Sequence, residues 1–229
     1  MISLIIPAYN EEKRISPTLE SYAKYFAKDE IIVVVNGSSD NTIGVVEEAA
    51  KKHKNIIYLN IDEAIGKGSA IIEGFKLAQG DYLCFIDADS STEPDQVEKL
   101  YSHLKDSNYA GAIGSRWIEG AEIKKYQPVS RIVASRVYNY LVRSILGLPY
   151  KDTQCGAKIF KREPIMNVIH EISPTKWEFD VSLLYTLHKH GYKIKEIPII
   201  WEDKFGSGLK IHKTAPKMFK ALFEIRRGK

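Results

Sequence analysis

The feature that most limits how this chain can fold is a fourfold alternation of short apolar runs with helix-forming segments. The apolar runs predict strands at residues 2–7, 31–35, 56–59 and 82–86, and the second run is almost entirely β-branched. Such runs are typical of strands that are covered on both faces. Strands joined by helices pair in parallel through right-handed crossovers, and ligands bind at the carboxyl edge of such a sheet. The sequence therefore predicts an α/β, Rossmann-like, mostly parallel sheet flanked by helices.

Local signals place several further elements. Ser16 as a cap and Pro17 in the first turn predict a helix that runs to about residue 27. A second helix is expected over the segment that carries Val45, Val46, Ala49 and Ala50, and a third from Gly66-Lys67-Gly68 to about residue 79. Later strands are predicted at residues 111–115, 155–160 and 194–201, and Pro198 indicates an edge position for the last one.

Two segments of the second half have amphipathic patterns. The pattern over residues 128–146 predicts an amphipathic helix with Arg131 and Arg136 on its solvent-exposed side. Its apolar side is formed by Val129, Ile132, Val133, Val137, Leu141 and Ile145. A further helix is expected over residues 177–190. The tail over residues 213–227 mixes apolar and basic residues, a pattern typical of helices that lie in a membrane interface.

Length and composition favour one ordinary globular domain over residues 1–229. Hydrophobic residues make up 44% and charged residues 27% of the 229 residues, and the net charge is +4. This modest charge fits an anionic ligand or membrane surface, and nothing indicates nucleic acid. Cys84 and Cys155 are expected to be free thiols of a cytoplasmic protein, with no signal peptide. No apolar run approaches the ~20 residues that a membrane helix requires.

Two carboxylates follow the fourth predicted strand. If the chain stays extended past Ile86, Asp87 and Asp89 point to the same face and converge on one hard cation, Mg²⁺ or Mn²⁺, which a substrate diphosphate would complete. The alternative is that Asp87 ends the strand, while Asp89 or Ser90 caps a helix that begins near residue 94. Spacing alone does not separate the two interpretations.

Six motifs, of which the first four each follow a predicted strand, occur in an order that resembles the family 2 glycosyltransferases of GT-A fold. The last two resemble the branch that contains dolichyl-phosphate β-glucosyltransferase and dolichyl-phosphate mannose synthase. The motifs are Pro7-Ala8-Tyr9-Asn10-Glu11, Asn36-Gly37-Ser38-Ser39-Asp40, Gly66-Lys67-Gly68, Asp87-Ala88-Asp89, Asp152-Thr153-Gln154-Cys155-Gly156-Ala157-Lys158-Ile159-Phe160 and Trp177-Glu178-Phe179-Asp180. The resemblance covers nearly the whole chain.

The resemblance implies a nucleotide-sugar-binding half at residues 1–115 and an acceptor half at residues 116–229. The residues it places against a nucleoside diphosphate sugar are Pro7, Tyr9, Glu11, Asn36, Lys67, Asp87, Ser207 and Lys210, with Asp87 and Asp89 also as metal ligands. Relatives usually carry two aspartates where Val35 and Asn36 stand, so a preference for uridine or guanosine does not transfer. Lys67 has a second interpretation as a solvated loop lysine, and Lys210 is displaced from the position that lysine usually has.

The resemblance also implies inverting transfer of glucose or mannose to a polyprenyl phosphate at the inner face of the membrane. Such an acceptor needs positive anchors more than a base, and Arg116, Arg131 and Arg136 are candidates. A soluble or protein-linked hydroxyl acceptor would instead require Asp152 or Asp180 as general base. A non-catalytic nucleotide-sugar binding module is the remaining alternative.

Overall fold

The computed structural model describes residues 1–172, 178–204 and 211–227, and for residues 211–217 it describes only the helical backbone. Within these ranges the elements follow the predicted alternation. They are β1 (Ile2–Ala8), α1 (Ile15–Tyr25), β2 (Glu30–Asn36), α2 (Thr42–Lys52), β3 (Ile56–Ile61), α3 (Lys67–Leu77), β4 (Tyr82–Phe85), α4 (Pro94–Leu104), β5 (Gly111–Ser115), β6 (Glu122–Lys125), α5 (Val129–Leu146), β7 (Lys158–Lys161), α6 (Arg162–Val168), α7 (Phe179–Lys189), β8 (Ile194–Pro198), β9 (Ile200–Glu202) and α8 (Ile211–Arg227).

The central sheet has the strand order β3-β2-β1-β4-β7-β5-β8. The first four strands in this order are parallel, as the alternation predicts, and β8 pairs in parallel with β5. Only β7 runs antiparallel to its neighbours β4 and β5. The mostly parallel α/β fold is therefore confirmed, and β8, which ends at Pro198, lies at the edge where a strand tolerates proline.

The sheet is buried on both faces, so the molecule has two cores. One core joins the sheet to α3, α5, α7 and α8, and the other joins it to α1, α2 and α4. The fully buried run Ile31–Val35 contributes to both, because successive strand residues point to opposite faces. This explains why β2 reads as a continuous apolar run rather than an alternating one.

Several boundaries differ from the sequence prediction. Ser16 lies inside α1, which begins at Ile15 after Arg14 without a side-chain cap, so the predicted cap is wrong. The predicted strand at residues 194–201 is two strands, and the second of these, β9, leaves the main sheet to pair with β6. Both cysteines are free, as predicted, and both are buried.

The apolar side of α5 read from the sequence is only partly buried, since Leu141 and Ile145 pack against the core but three valines do not. Val129, Val133 and Val137 are 75%, 54% and 52% exposed, whereas Tyr138 and Val142 are buried with Leu146 in the core shared with α8. The helix sequence carries two apolar stripes, and periodicity cannot tell which stripe meets a neighbour. Among the helices described, none is long and apolar enough to cross a membrane.

Candidate active site

The loops that follow β1 and β2 are bound to each other at the carboxyl edge of the sheet. The Asn10 N–H donates to Ser38 Oγ at 3.1 Å, and the Ser39 N–H donates back to Asn10 Oδ1 at 2.8 Å. The Glu12 N–H donates to Asp40 Oδ2 at 3.2 Å. Asn10 has a φ of 55°, a left-handed conformation that asparagine tolerates better than most residues. The two loops therefore form one rim rather than two independent segments.

Tyr9 and Pro7 are placed differently at this rim. Tyr9 is 52% exposed, which leaves its ring accessible to a ligand. Pro7 remains within β1, paired in register with Val34, so the strand extends one residue past the predicted break to Ala8. Gly37 has a φ of 64°, and a Cβ there would stand 2.3 Å from the backbone nitrogen of Ala64. Only glycine lets the loop after β2 approach the loop after β3 this closely.

Asn36 links three of these segments. Its side chain is buried, its Nδ2 donates to the Ala8 carbonyl at 3.1 Å, and its Oδ1 accepts from the Gly66 N–H at 3.2 Å. The amide thus ties the end of β1 to the start of α3. An aspartate at this position would have no donor for the Ala8 carbonyl, which gives a structural reason for the asparagine.

Asp87 and Asp89 do not lie on an extended strand. Strand β4 ends at Phe85, and the chain turns at Ala88 and Asp89, so the predicted alternation fails at this point. The two carboxylates still influence each other electrically. Burial, and then the negative charge of Asp87, raise the pKa of Asp89 above its usual range. The predicted helix that begins near residue 94 is present. Its N-cap position is Glu93 rather than Asp89 or Ser90, and no side-chain hydrogen bond caps the helix.

Asp87 has a cationic partner. Lys67 Nζ lies 2.6 Å from Asp87 Oδ1. Burial opposes the charge of Asp87, yet the nearby charge of Lys67 prevails and holds the pKa of Asp87 below its usual range. Asp89 has no such partner among the residues described, and it accepts hydrogen bonds from Ser91, whose N–H lies 3.0 Å from Asp89 Oδ1. The two carboxylates therefore differ: the charge of Asp87 is balanced by Lys67, and the charge of Asp89 is not balanced by an ion pair in the described residues.

The loop before β7 closes on Asp87. A Cβ added to Gly156 would stand 1.9 Å from Asp87 Oδ2 and 2.5 Å from its Cγ. No side chain fits between this loop and the carboxylate. Gly156 belongs to a motif used in the sequence analysis, but its own role was not predicted.

Glu11 is a buried carboxylate near the same pair. Its Oε1 accepts from Arg14 Nη2 at 2.6 Å, while its buried Oε2 has no hydrogen-bond partner in the described part of the chain. Burial raises the pKa of Glu11 to about 7, against the opposing charge of Arg14, and the charges of Asp89 and Asp87 add to the rise. Glu11 is thus poised to lose or gain a proton near neutral pH.

These residues fit a hard divalent cation. The described residues hold no cluster of three or more His, Cys, Asp or Glu side chains. Mg²⁺ and Mn²⁺ do not require one, because one or two carboxylates together with substrate phosphates suffice. A bound cation would offset both the burial and the repulsion from Asp87 that raise the pKa of Asp89.

In the second half of the chain, Arg116 and Asp152 form a bidentate ion pair. Arg116 Nε donates to Asp152 Oδ2 at 2.8 Å and Nη2 donates to Oδ1 at 2.9 Å, and the backbone N–H of Arg116 also donates to Oδ2. The Asp152 carboxylate is fully buried. Burial disfavours its charge, but Arg116 prevails and holds the pKa of Asp152 below its usual range. Both oxygens of Asp152 are therefore committed to protein donors.

Asp180 is paired with Lys158, a residue for which the sequence predicts no role. Lys158, at the start of β7, is fully buried, and its Nζ lies 2.5 Å from both Asp180 Oδ1 and the Cys155 carbonyl. The same ammonium lies 5.2 Å from the centroid of the Phe85 ring. A lysine this deeply buried is rare unless it is paired, but no local feature of the sequence indicates the pairing.

The start of α5 lies beside Arg116. The Arg136 guanidinium lies 5.2 Å from the Trp117 ring, and Arg116 lies 5.1 Å from the Trp201 ring. Arg116, Trp117 and Trp201 line a small cavity together with Ile123, Tyr126, Gln127 and Ile132. Arg131, on the first turn of α5, is half-buried.

Buried polar atoms also occur in this half of the chain. Trp117 Nε1, Ser135 Oγ and the Tyr138 hydroxyl are buried, and none of the three has a partner within the described structure. Burial, with the charges of Glu178 and Asp180 nearby, raises the pKa of Tyr138. Such groups are costly unless a ligand or water completes them. Ser207 and Lys210, which were predicted to close over a diphosphate, lie outside the described residues.

Comparison with known proteins gives a consistent picture. A family model described as glycosyl transferase family 2 matches residues 3–169. Dolichyl-phosphate beta-glucosyltransferase ALG5A of Trichomonas vaginalis is 35% identical over 224 residues, covering 92% of this chain and 68% of that protein. The human dolichyl-phosphate beta-glucosyltransferase is 31% identical over 241 residues, covering 98% of this chain and 74% of that protein. Glycosyltransferase AglD of Haloferax volcanii is 32% identical over 209 residues, 89% of this chain, but only 33% of its own length is spanned.

Solved structures share the fold at lower identity. Glucosyl-3-phosphoglycerate synthase from Mycobacterium tuberculosis, in complex with Mn²⁺, uridine diphosphate and glucosyl-3-phosphoglycerate, superposes with a TM-score of 0.69 at 20% identity. The match covers 98% of this chain and 78% of that one. A further crystal structure of a mycobacterial protein has a TM-score of 0.72 at 19% identity, covering 98% of this chain and 73% of that one.

Proposed function

The chain belongs to glycosyl transferase family 2, and from this premise we propose that it is an inverting, metal-dependent hexosyltransferase. It moves glucose or mannose from a nucleoside diphosphate sugar to a polyprenyl phosphate of the dolichyl type. Relatives named dolichyl-phosphate beta-glucosyltransferase support the acceptor, and two of them align with more than nine-tenths of this chain. The donor half is residues 1–115 and the acceptor half is residues 116–229.

The observation that carries the proposal is the state of Asp89. Its carboxylate lies at the carboxyl edge of the parallel strands, and burial and the charge of Asp87 raise its pKa. Ligands bind at this edge in doubly wound sheets. A divalent ion, Mg²⁺ or Mn²⁺, held by Asp89 with support from Asp87, would stabilise the charge that develops on the departing nucleoside diphosphate. Neighbour structures that contain Mn²⁺ support this ion class.

The chain's own residues position the donor. Tyr9 offers an exposed ring at the rim for the base, while Pro7 and Asn36 hold the loops that carry it. Lys67 is fixed by Asp87 next to the diphosphate position at the start of α3, where backbone N–H groups and the helix dipole favour anions. We place Glu11 beside the metal and the ribose, since its unpartnered oxygen lies near Asp87 and Asp89.

The acceptor half supplies positive charge instead of a base. A phosphate acceptor is already ionised and needs no deprotonation. Asp152 is a poor base because both of its oxygens are bonded and its pKa is low. We assign Asp152 to holding Arg116, and Arg131 to the acceptor phosphate. Asp180, fixed by Lys158, orients the sugar or acceptor. Peripheral contact with the inner face of the membrane would bring the lipid acceptor to these groups.

The direct test is transfer from UDP-glucose and GDP-mannose to a polyprenyl phosphate by the purified protein. We expect transfer with Mg²⁺ or Mn²⁺, loss of transfer with a chelator, and loss in Asp89→Ala without loss of the fold. Full activity with chelator present would refute the metal role. Transfer to sugar alcohols or glycerate phosphates, but not to the lipid phosphate, would refute the acceptor assignment.

A further inference from the structure

Helix α5 exposes an apolar stripe that no described residue covers. Val129, Val133, Val137 and Tyr140 are 75%, 54%, 52% and 67% exposed. Their spacing of four, four and three residues puts them on one face of a helix. The opposite face holds Tyr138, Val142 and Leu146 in the core. The stripe is therefore a second apolar face, turned away from the protein.

Helix α8 extends the exposed apolar surface. It shares a core with α5 through Met218, Leu222 and Ile225. Phe219 and Phe223 remain 45% and 40% exposed, with their rings edge to face at a centroid distance of 5.2 Å. Two neighbouring helices thus each bury one face and expose apolar side chains elsewhere. An apolar surface of this kind marks an interaction site.

The charge of the chain is concentrated on the same two helices. Together α5 and α8 contain eight Lys and Arg residues and one acidic residue, a net charge of +7. The other 25 basic and 28 acidic residues of the chain give −3. In α5 itself there are three arginines and no acid. Basic residues beside an apolar helix face are the combination that binds anionic lipid surfaces.

The surface is also continuous with the acceptor end of the cleft. Arg136 of α5 lies over Trp117, and Arg131 is on the same helix. Arg143 lines a shallow surface cleft with Tyr140, Ser144, Leu148 and Pro149 at the other end of the stripe. A surface on which α5 rests would therefore lie beside the group that we propose to bind the lipid phosphate.

We propose that the exposed stripe of α5, with Phe219 and Phe223 of α8, docks on an anionic lipid bilayer, with the helices parallel to the membrane plane. The placement deepens the proposed function, since it explains how a lipid phosphate reaches the cleft. It differs from contact through the basic tail alone, because the side chains that enter the interface are mainly those of α5.

The test is flotation of the whole protein with vesicles of phosphatidylcholine, with and without roughly 30% phosphatidylserine. We expect binding to the anionic vesicles and much weaker binding to the neutral ones. Val133→Ser with Val137→Ser should lower the affinity at least about ten-fold, because two apolar side chains leave the interface. Arg143→Gln and Lys220→Gln should each lower it about five-fold. Leu77→Ser, at a comparably exposed leucine of α3, is the matched control and should bind like the wild type.

Three outcomes would overturn the docking. One is unchanged flotation of the Val133/Val137 variant when circular dichroism shows it folded, and another is equal binding to neutral and anionic vesicles. The third is a dimer in light scattering that the same variant dissociates, since the stripe would then be covered by a second copy. Flotation measures membrane binding without sugar transfer, so its result does not depend on whether the proposed function is correct. Transfer to a short-chain prenyl phosphate in detergent tests that function alone, and the docking variants should retain it.

Discussion

Substitution of Gly156 by alanine tests whether the loop before β7 and Asp87 form one unit. The added Cβ would stand 1.9 Å from Asp87 Oδ2, whereas ordinary contact begins at 3.4 Å. The carboxylate must therefore retreat by the difference, 1.5 Å, or the loop must move by a similar distance. Asp87 cannot swing freely, because Lys67 holds its other oxygen at 2.6 Å. The substitution should thus displace Asp87 from its place beside Asp89.

The expected size of the effect follows from this displacement. A misplacement of about 1 Å at a reacting centre costs on the order of 100-fold in rate. We therefore expect Gly156→Ala to lower kcat/KM for sugar transfer at least about 100-fold, which corresponds to ~2.7 kcal/mol of transition-state stabilisation. The loss of unfolding free energy should be smaller, about 1–2 kcal/mol, since the Asp87 side chain is 39% exposed and water can solvate the displaced carboxylate.

Steady-state kinetics and urea denaturation measure the two quantities. Gly191→Ala serves as control, because a Cβ at that turn meets nothing within 4 Å even though its φ is 79°. A second measurement places Gly156→Ala in an Asp87→Ala background, where the clash is gone and the stability cost should nearly disappear. Activity of Gly156→Ala within a few-fold of wild type, or an equal stability cost in both backgrounds, would refute the reasoning.

Three further predictions concern buried charges. Lys158→Met should destabilise the protein by about 3–5 kcal/mol, because Asp180 is left without its cation, and adding Asp180→Asn should recover much of this in urea denaturation; a loss below 1 kcal/mol would contradict the pairing. Asp152→Asn should lower activity but keep the shape of the pH profile of kcat/KM, because a carboxylate whose pKa is held low by Arg116 does not titrate in the assay range; disappearance of the acid limb would identify Asp152 as a base after all. Glu11 has a pKa of about 7 when folded and 4.5 otherwise, so the folded state binds more protons between these values and stability falls as pH rises through that window. Relative to wild type, Glu11→Gln should therefore gain melting temperature from pH 5 to pH 8, and a constant difference between the two proteins would refute the shift.

The sequence predicts the fold of the first half of the chain well because local signals and topology agree there. The β-branched run Ile31–Val35 has no stable place outside a doubly covered strand, and parallel strands necessarily bring their following loops to one edge. Residues of the loops after β1, β2 and β4 could thus be grouped without a structure. The contacts of these residues could not be predicted. The sequence indicates ligand-binding roles for Asn36 and Lys67, but it does not show that their side chains bond to Ala8, Gly66 and Asp87.

The second half of the chain is less predictable because its structure depends on packing between distant segments. Lys158 and Asp180 are 22 residues apart, and nothing local indicates that they pair. The prediction for α5 is wrong for Val129, Val133 and Val137, which are exposed, and the reason is packing. Val133 and Tyr138 both belong to apolar stripes, and the choice between them is made by α8, which lies more than 60 residues further along the chain. A helix with two apolar faces has no preferred side until its neighbours are known.

The reciprocal hydrogen bonds between the loops after β1 and β2 have a consequence for engineering nucleotide preference. Asn10 with Ser39, and Glu12 with Asp40, each join one loop to the other. Replacing either loop with that of a relative would leave orphaned donors on the segment that stays behind. A graft intended to exchange one base for another should therefore transplant both segments as a matched cassette, from donor proteins in which the two have co-evolved.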